Sequence, residues 1–184
     1  MRLRLLTPLM VLVLALALSA CGDKEKTVTF GSTEGVYVDN GDLKYQVQIS
    51  RELNPADPED KGYLIGADEK TLSPSDLWFG VFMRVQNTTA DTHPAAREFE
   101  LSDTQGNTWR PIPLPADNVF AYRPVDLPSG GVLPNTDSPA GENTIQGSLL
   151  LFKIPYANLQ NRPLVLTVVD PNNPGDKATV DLDV

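Results

Sequence analysis

The chain has 184 residues, with 15 Lys and Arg against 24 Asp and Glu and a formal charge of −9 at pH 7. So acidic a balance argues against a nucleic-acid binder, which needs clustered cations to displace counterions, and against charge-driven attachment to anionic lipid headgroups. A single cysteine and a single histidine rule out a disulfide framework and a zinc site built from His and Cys, which takes three or four ligands.

The chain opens on Met1-Arg2-Leu3-Arg4 and an apolar run over residues 5–18. That run is too short and too early for an ordinary membrane span and reads as the h-region of a secretion signal. Leu18-Ser19-Ala20-Cys21 follows. It resembles the lipobox of bacterial lipoproteins, which implies cleavage before Cys21 and acyl chains on that cysteine. An ordinary signal peptide or an N-terminal membrane anchor are the alternatives, as is a cysteine buried as a small hydrophobe. The lipidated form divides the chain into a cleaved lipoprotein signal peptide (1–20), a lipidated tether (21–26) and one domain (27–184). It predicts a protein held by lipid at the extracytoplasmic face of the cell membrane, since two or more acyl chains anchor firmly where one does not. Losing residues 1–20, which hold Arg2 and Arg4 and no acid, leaves 164 residues and a formal charge of −11. That length suffices for one core held by packing alone. No later apolar run approaches the length of a span.

Along the domain the patterning is that of strands. Residues 44–49 alternate, placing Tyr45, Val47 and Ile49 on one face. Residues 54–60 form a loop. Residues 77–86 are the strongest strand. Phe79, Val81, Met83 and Val85 face one way, while Trp78, Phe82 and Arg84 face the other. Such a strand belongs in the middle of a sheet with its second face partly covered. Phe99 and Leu101 alternate with Glu98 and Glu100, and Asp103-Thr104-Gln105-Gly106-Asn107 leads into Thr108-Trp109-Arg110 as a hairpin. Strands follow over 149–154, 164–168 and 178–184, with one short helical turn over 156–160 and a tight connection over 171–175. About seven or eight short strands and no long amphipathic helix predict an all-β chain, a two-sheet antiparallel sandwich.

Three stretches carry a family resemblance: Phe82-Met83-Arg84-Val85-Gln86-Asn87-Thr88-Thr89, a strand running into a polar turn; Phe99-Glu100-Leu101-Ser102-Asp103 with Gly106 and Trp109; and Gly147-Ser148-Leu149-Leu150-Leu151-Phe152-Lys153-Ile154-Pro155. From about Tyr37 onward the chain resembles the DUF4352-type, immunoglobulin-like domains of bacterial envelope lipoproteins. The resemblance implies an immunoglobulin-like antiparallel β-sandwich and an accessory envelope role, and it brings no catalytic residues with it. The long Pro-rich stretch before Gly147 departs from the family pattern.

No constellation for chemistry emerges. His93 stands in a polar loop without a nucleophile-elbow sequence. Asp57, Glu59 and Asp60 are so close in sequence that they describe a solvated loop, beside Arg51 and Lys61, rather than a carboxylate pair across a substrate. Asp103, Gln105 and Asn107 alternate around Gly106 with oxygens suited to calcium, although a hairpin turn explains the same residues. Asn87-Thr88-Thr89 matches a glycosylation sequon by chance. The expectation is no enzyme, no cofactor and no metal. The best candidate surface is the segment 111–142, stiffened by Pro111, Pro113, Pro115, Pro124, Pro128, Pro134 and Pro139. Trp109, Phe120 and Tyr122 are its candidate partner-binding residues; the alternative is that Phe120 and Tyr122 tuck beneath the segment and cap the sandwich. The expected function is a non-catalytic interaction module binding an envelope protein or a cell-wall polymer. A small-ligand or metal-binding accessory lipoprotein of a transport system is the alternative.

Overall fold

The eleven-residue alternation around Phe79–Val85 becomes the centre of the molecule because both of its faces find apolar cover. A computed structural model describes residues 27–183; the expected signal peptide (1–20) and the expected tether (21–26) with Cys21 lie outside the described residues. The strands are β1 (Phe30–Gly31), β2 (Tyr37–Asn40), β3 (Leu43–Leu53), β4 (Asp76–Gln86), β5 (His93–Pro94), β6 (Phe99–Ser102), β7 (Thr108–Trp109), β8 (Asp126–Leu127), β9 (Val132–Leu133), β10 (Ser148–Pro155), β11 (Leu164–Val169) and β12 (Lys177–Leu182). Seven of them have four residues or more. One sheet runs β10-β4-β3-β2, with β9 also paired to β4; the other runs β1-β12-β11-β6-β7; β5 and β8 form a separate ribbon. The fold is an all-β sandwich. Among the described strands the pairing is antiparallel except where β1 runs parallel to β12, Phe30 opposite Thr179; an isolated bridge between Ala121 and Leu149 is also parallel.

The main core lies between the sheets. Leu77, Phe79, Val81, Met83 and Val85 of β4 and Leu150, Phe152 and Ile154 of β10 meet Phe99 and Leu101 of β6, Leu166 of β11 and Val180 of β12. Register is set by this alternation: Leu166 stands opposite both Leu101 and Val180, and Phe152 opposite Phe79. A one-residue slip would turn each apolar row to the wrong face. Each fully buried Leu, Val or Phe contributes about 1.5–3 kcal/mol.

The expected common face of Tyr45, Val47 and Ile49 is broken. The register shifts between Val47 and Ile49. Tyr45 and Val47 therefore stay in the main core, whereas Ile49 packs with Leu53 on the outer face of the sheet. An extra residue in one strand reverses the face of everything after it. β3 is thus able to feed both sides of its sheet.

That outer face carries a second core. Trp78 and Phe82 of β4 and Leu149 and Leu151 of β10 are buried there beneath Tyr63, Leu64, Leu114 and Ala121. Residues 54–60 are not wholly a loop, as α1 (Pro58–Tyr63) begins among them. Pro58 starts the helix and the Asp57 side chain caps it by accepting from the Glu59 and Asp60 N–H groups. A second short helix, α2 (Pro139–Glu142), is capped by Ser138. Residues 156–160 form the expected single turn, of 3-10 type.

Gly66 is where this cover closes. Its φ is +81°, and a Cβ there would lie 2.1 Å from Pro115 Cγ. Gly66→Ala is therefore expected to cost about 1–3 kcal/mol through backbone strain alone, with the clash added. Urea unfolding followed by tryptophan fluorescence measures it.

Candidate functional site

The Pro-rich segment packs as two limbs along the free edge of β10. The Ile112 N–H donates to the Leu151 carbonyl at 2.7 Å, Tyr122 N–H donates to Leu149 at 2.8 Å, and Leu149 N–H donates to Phe120 at 2.7 Å. Proline cannot supply a continuous ladder, so the limbs touch the edge at alternate points, and the edge is blunted. Asn118 makes the bend between them. Its side-chain amide donates to the Tyr63 and Ile65 carbonyls at 2.8 and 2.9 Å, and its Oδ1 accepts from Phe120 N–H at 3.1 Å. The buried amide pins both limbs to the end of α1. The Arg123 guanidinium straps one limb to the other, donating to the Leu114 carbonyl at 2.9 Å and also to that of Pro115.

Between the limbs and the start of β6 lies a cleft of about 340 Å³. Its floor is apolar, from Phe99, Tyr122 and Leu149–Leu151; its walls include Pro111, Pro113 and Pro124; Arg97, Arg110 and Arg123 stand at its mouth with Glu98. All three arginines are exposed. Arg97 and Arg110 make no hydrogen bond or ion pair with any described residue, in contrast to Arg51, which is held by Asp60. Six arginines lie in residues 27–183, and three of them line this one cleft of an acidic protein.

Two tyrosines position Arg97. Tyr45 Oη accepts from Ala96 N–H at 2.8 Å, and Tyr122 Oη donates to the Ala96 carbonyl at 3.0 Å. Ala96 is thereby clamped on both sides, and the next residue must leave the core at the cleft mouth. Burial pushes the Tyr45 phenol up to about 12, and pushes that of Tyr122 well above its usual value. Both keep their protons, and the clamp holds, across the physiological range.

The three aromatic candidates do not share a surface. Tyr122 is 8 % exposed and lies between the sheets, edge-on to Phe99 at 5.0 Å. Phe120, two residues earlier, points to the opposite side and packs half-buried on Tyr63 at 4.8 Å. Trp109 is half-buried against the main core. Only Tyr122 lines the cleft, as part of its floor. The arginines were missed because Arg97, Arg110 and Arg123 are scattered in sequence; a cue was available in the six arginines of an acidic domain.

The remaining candidates have local structural partners. His93 Nδ1 lies 3.1 Å from Asp42 Oδ2, a carboxylate exposed to solvent. Asp57 caps α1, while Asp60 is buried against Arg51 and accepts from Asn54 N–H at 2.8 Å. The Asp103 carboxylate accepts from the backbone N–H groups of Gln105 and Asn107 and from the side-chain amides of Asn107, Asn158 and Asn161, at 2.8–2.9 Å. Its oxygens face N–H donors rather than a cation, which favours the hairpin over calcium. Asn87 of the sequon is fully buried.

Burial alone would raise the Asp60 carboxyl, but the Arg51 and Asn54 hydrogen bonds outweigh it and hold the group below the usual range. At Asp103 the amides of Asn161, Asn107 and Asn158 overcome desolvation still more plainly. Both groups sit lower in the folded state than in the unfolded chain, where Asp titrates near ~3.9. Their ionised forms therefore stabilise the fold above about pH 4, and the contribution disappears as pH falls through the folded values. Thermal melts from pH 7 to 2 should show a falling melting temperature below about pH 4, and Asp103→Asn should flatten that fall.

No protein-family model matches the chain. No curated protein matches it. Solved structures do resemble it in shape. The yjhA protein of Bacillus subtilis is 15 % identical with a TM-score of 0.49, over 83 % of this chain and 99 % of that one. An uncharacterised β-sandwich protein of Clostridium difficile 630 is 9 % identical with a TM-score of 0.43, over 87 % and 98 %. The candidate lipoprotein ycdA of Bacillus subtilis is 12 % identical with a TM-score of 0.48, over 85 % of this chain and 39 % of that one.

Proposed function

We propose that this chain is a lipid-anchored lipoprotein of the cell envelope whose β-sandwich is a non-catalytic protein-interaction module. The anchor rests on Leu18-Ser19-Ala20-Cys21 behind a short apolar run. No helix among the described residues is long and apolar enough to cross a membrane; attachment through lipid at Cys21 rests on the lipobox-like motif. The immunoglobulin-like, DUF4352-type affinity belongs to the same proposal and rests on the strand-and-turn motifs alone.

The observation that carries the binding role is the cleft. Its walls are preformed by prolines and by the Asn118 bend, so little ordering entropy opposes binding. Among the described residues Arg97 and Arg110 have no carboxylate partner, whereas Arg51 is paired with Asp60, in a protein that has carboxylates to spare. The test is crosslinking of the native lipoprotein in cells, followed by affinity capture and mass spectrometry. One dominant envelope protein supports the module, and absence of any reproducible protein refutes it.

The cleft volume also favours a second reading, a small-ligand accessory lipoprotein, since about 300–1,000 Å³ is the range of small-molecule sites. A rise in melting temperature with one member of a panel of ions, sugars and peptides would select it.

A further inference from the structure

The cleft is one part of a longer groove. A depression of about 130 Å³ shares Glu98, Phe99 and Arg110 with it and crosses Thr167 and Val169 of β11 to Lys177. Another of about 250 Å³ shares Arg97 and Glu98 and ends against Pro171 and Pro174. Four cations, Arg97, Arg110, Arg123 and Lys177, stand along this path, all exposed. Apolar surface lies between them.

We infer that this groove binds an extended acidic segment of a partner protein, one in which carboxylate side chains alternate with apolar ones. The inference rests on the interaction-module reading and names the chemistry of its partner. An extended chain sends successive side chains to opposite sides, so acidic residues would reach the cations while apolar ones enter the floor over Leu149–Leu151. Arginine pairs with carboxylate through two parallel hydrogen bonds, which fixes geometry as well as charge. A phosphate-rich wall polymer would satisfy the cations but has nothing to place on the apolar floor. Glu98, Glu100 and Asp170 also line the groove and would repel a continuous polyanion. The surrounding acidic surface rejects most acidic ligands, so selectivity comes from this one reversal of sign.

The test uses the full-length lipoprotein in neutral detergent micelles and fluorescein-labelled octapeptides in which glutamate alternates with leucine, valine or phenylalanine. Binding is read by anisotropy. The expected result is saturable binding by the wild type that weakens as salt is raised and weakens at least tenfold in the double variant Arg97→Gln, Arg110→Gln. Both side chains are exposed and bond no described residue, so the fold should survive, and equal melting temperatures check this. Arg162→Gln, which removes one positive charge outside the groove, should bind as the wild type does. Should the double variant misfold, Lys177→Gln tests the same groove from its far end and should weaken binding. Four results would overturn the inference: no binding of any octapeptide, equal binding of the glutamine analogues, equal binding by the double variant, or binding of polyphosphate in preference to the peptides. The two levels separate in cells. If the crosslinked partner is retained by the double variant, the module stands and the acidic-segment inference falls; if the wild type captures no partner, the module itself falls.

Discussion

Tyr122→Ala will lower the stability of the domain by about 3–5 kcal/mol, the usual cost of deleting a large buried aromatic. The ring is in the core against Phe99, and its hydroxyl donates to the Ala96 carbonyl. Tyr122→Phe keeps the ring and loses that donor, so it should cost about 1–3 kcal/mol, the penalty for a buried group left unpaired. Urea unfolding at neutral pH separates the two, with the midpoint falling further for alanine. Because Tyr122 helps to place Arg97, the phenylalanine variant should also bind any groove ligand less well while remaining folded. Phe120→Ala should cost less than Tyr122→Ala, since Phe120 is only half-buried. Were Tyr122→Ala neutral, the two-limb packing of the Pro-rich segment would be wrong at its centre.

Asn87→Ala should cost about 3 kcal/mol or more, given about 1–3 kcal/mol for each buried partner left unsatisfied. This side chain joins the end of β4 to the far end of the Pro-rich segment. Its amide donates to the carbonyls of Asp91, Leu127 and Pro128 at 2.7, 2.8 and 3.1 Å, and its Oδ1 accepts from Thr89 N–H and Oγ1. The backbone adds two bonds, from Asn87 N–H to Gly131 and from Gly130 N–H to Asn87. Asn87→Asp is the decisive comparison, because a carboxylate keeps the size and the acceptor but cannot donate. It should be nearly as damaging as alanine. Should Asn87→Asp be tolerated, the donation to Leu127 and Pro128 is not what holds the turn.

The strands that alternate cleanly were legible in the sequence. Residues 77–86 show both faces correctly, because Phe79 and Trp78 report two apolar environments in a single strand. The Asp103–Asn107 hairpin was equally legible, since Gly106 takes the positive φ of 82° that its turn requires. The departures have physical causes. Ile49 changed sides because a single-residue bulge leaves no mark on composition. Strands of two residues, such as β5 and β8, have no periodicity to read. The start of α1 hid behind three acids and two prolines that suit a loop as well as a helix end.

The candidate site was less legible. The Pro-rich segment could be singled out from proline density alone, but two of the three arginines of the cleft, Arg97 and Arg110, lie outside it. Whether Tyr122 faces solvent or core depends on which neighbour the segment packs against, and that neighbour is β10, distant in sequence. Arg97, Arg110 and Arg123 come together only because the Ala96 clamp, the end of β7 and the second limb converge beside the free edge of β10.

By itself, then, the sequence determined the β-class and the alternation of the long strands, both of which are local properties of spacing and residue type. Tertiary structure alone decided which sides Phe120 and Tyr122 occupy, which polar side chains serve as internal clamps, and where Arg97, Arg110 and Arg123 gather on an acidic surface. These depend on contacts between residues far apart in the chain, which local periodicity does not encode.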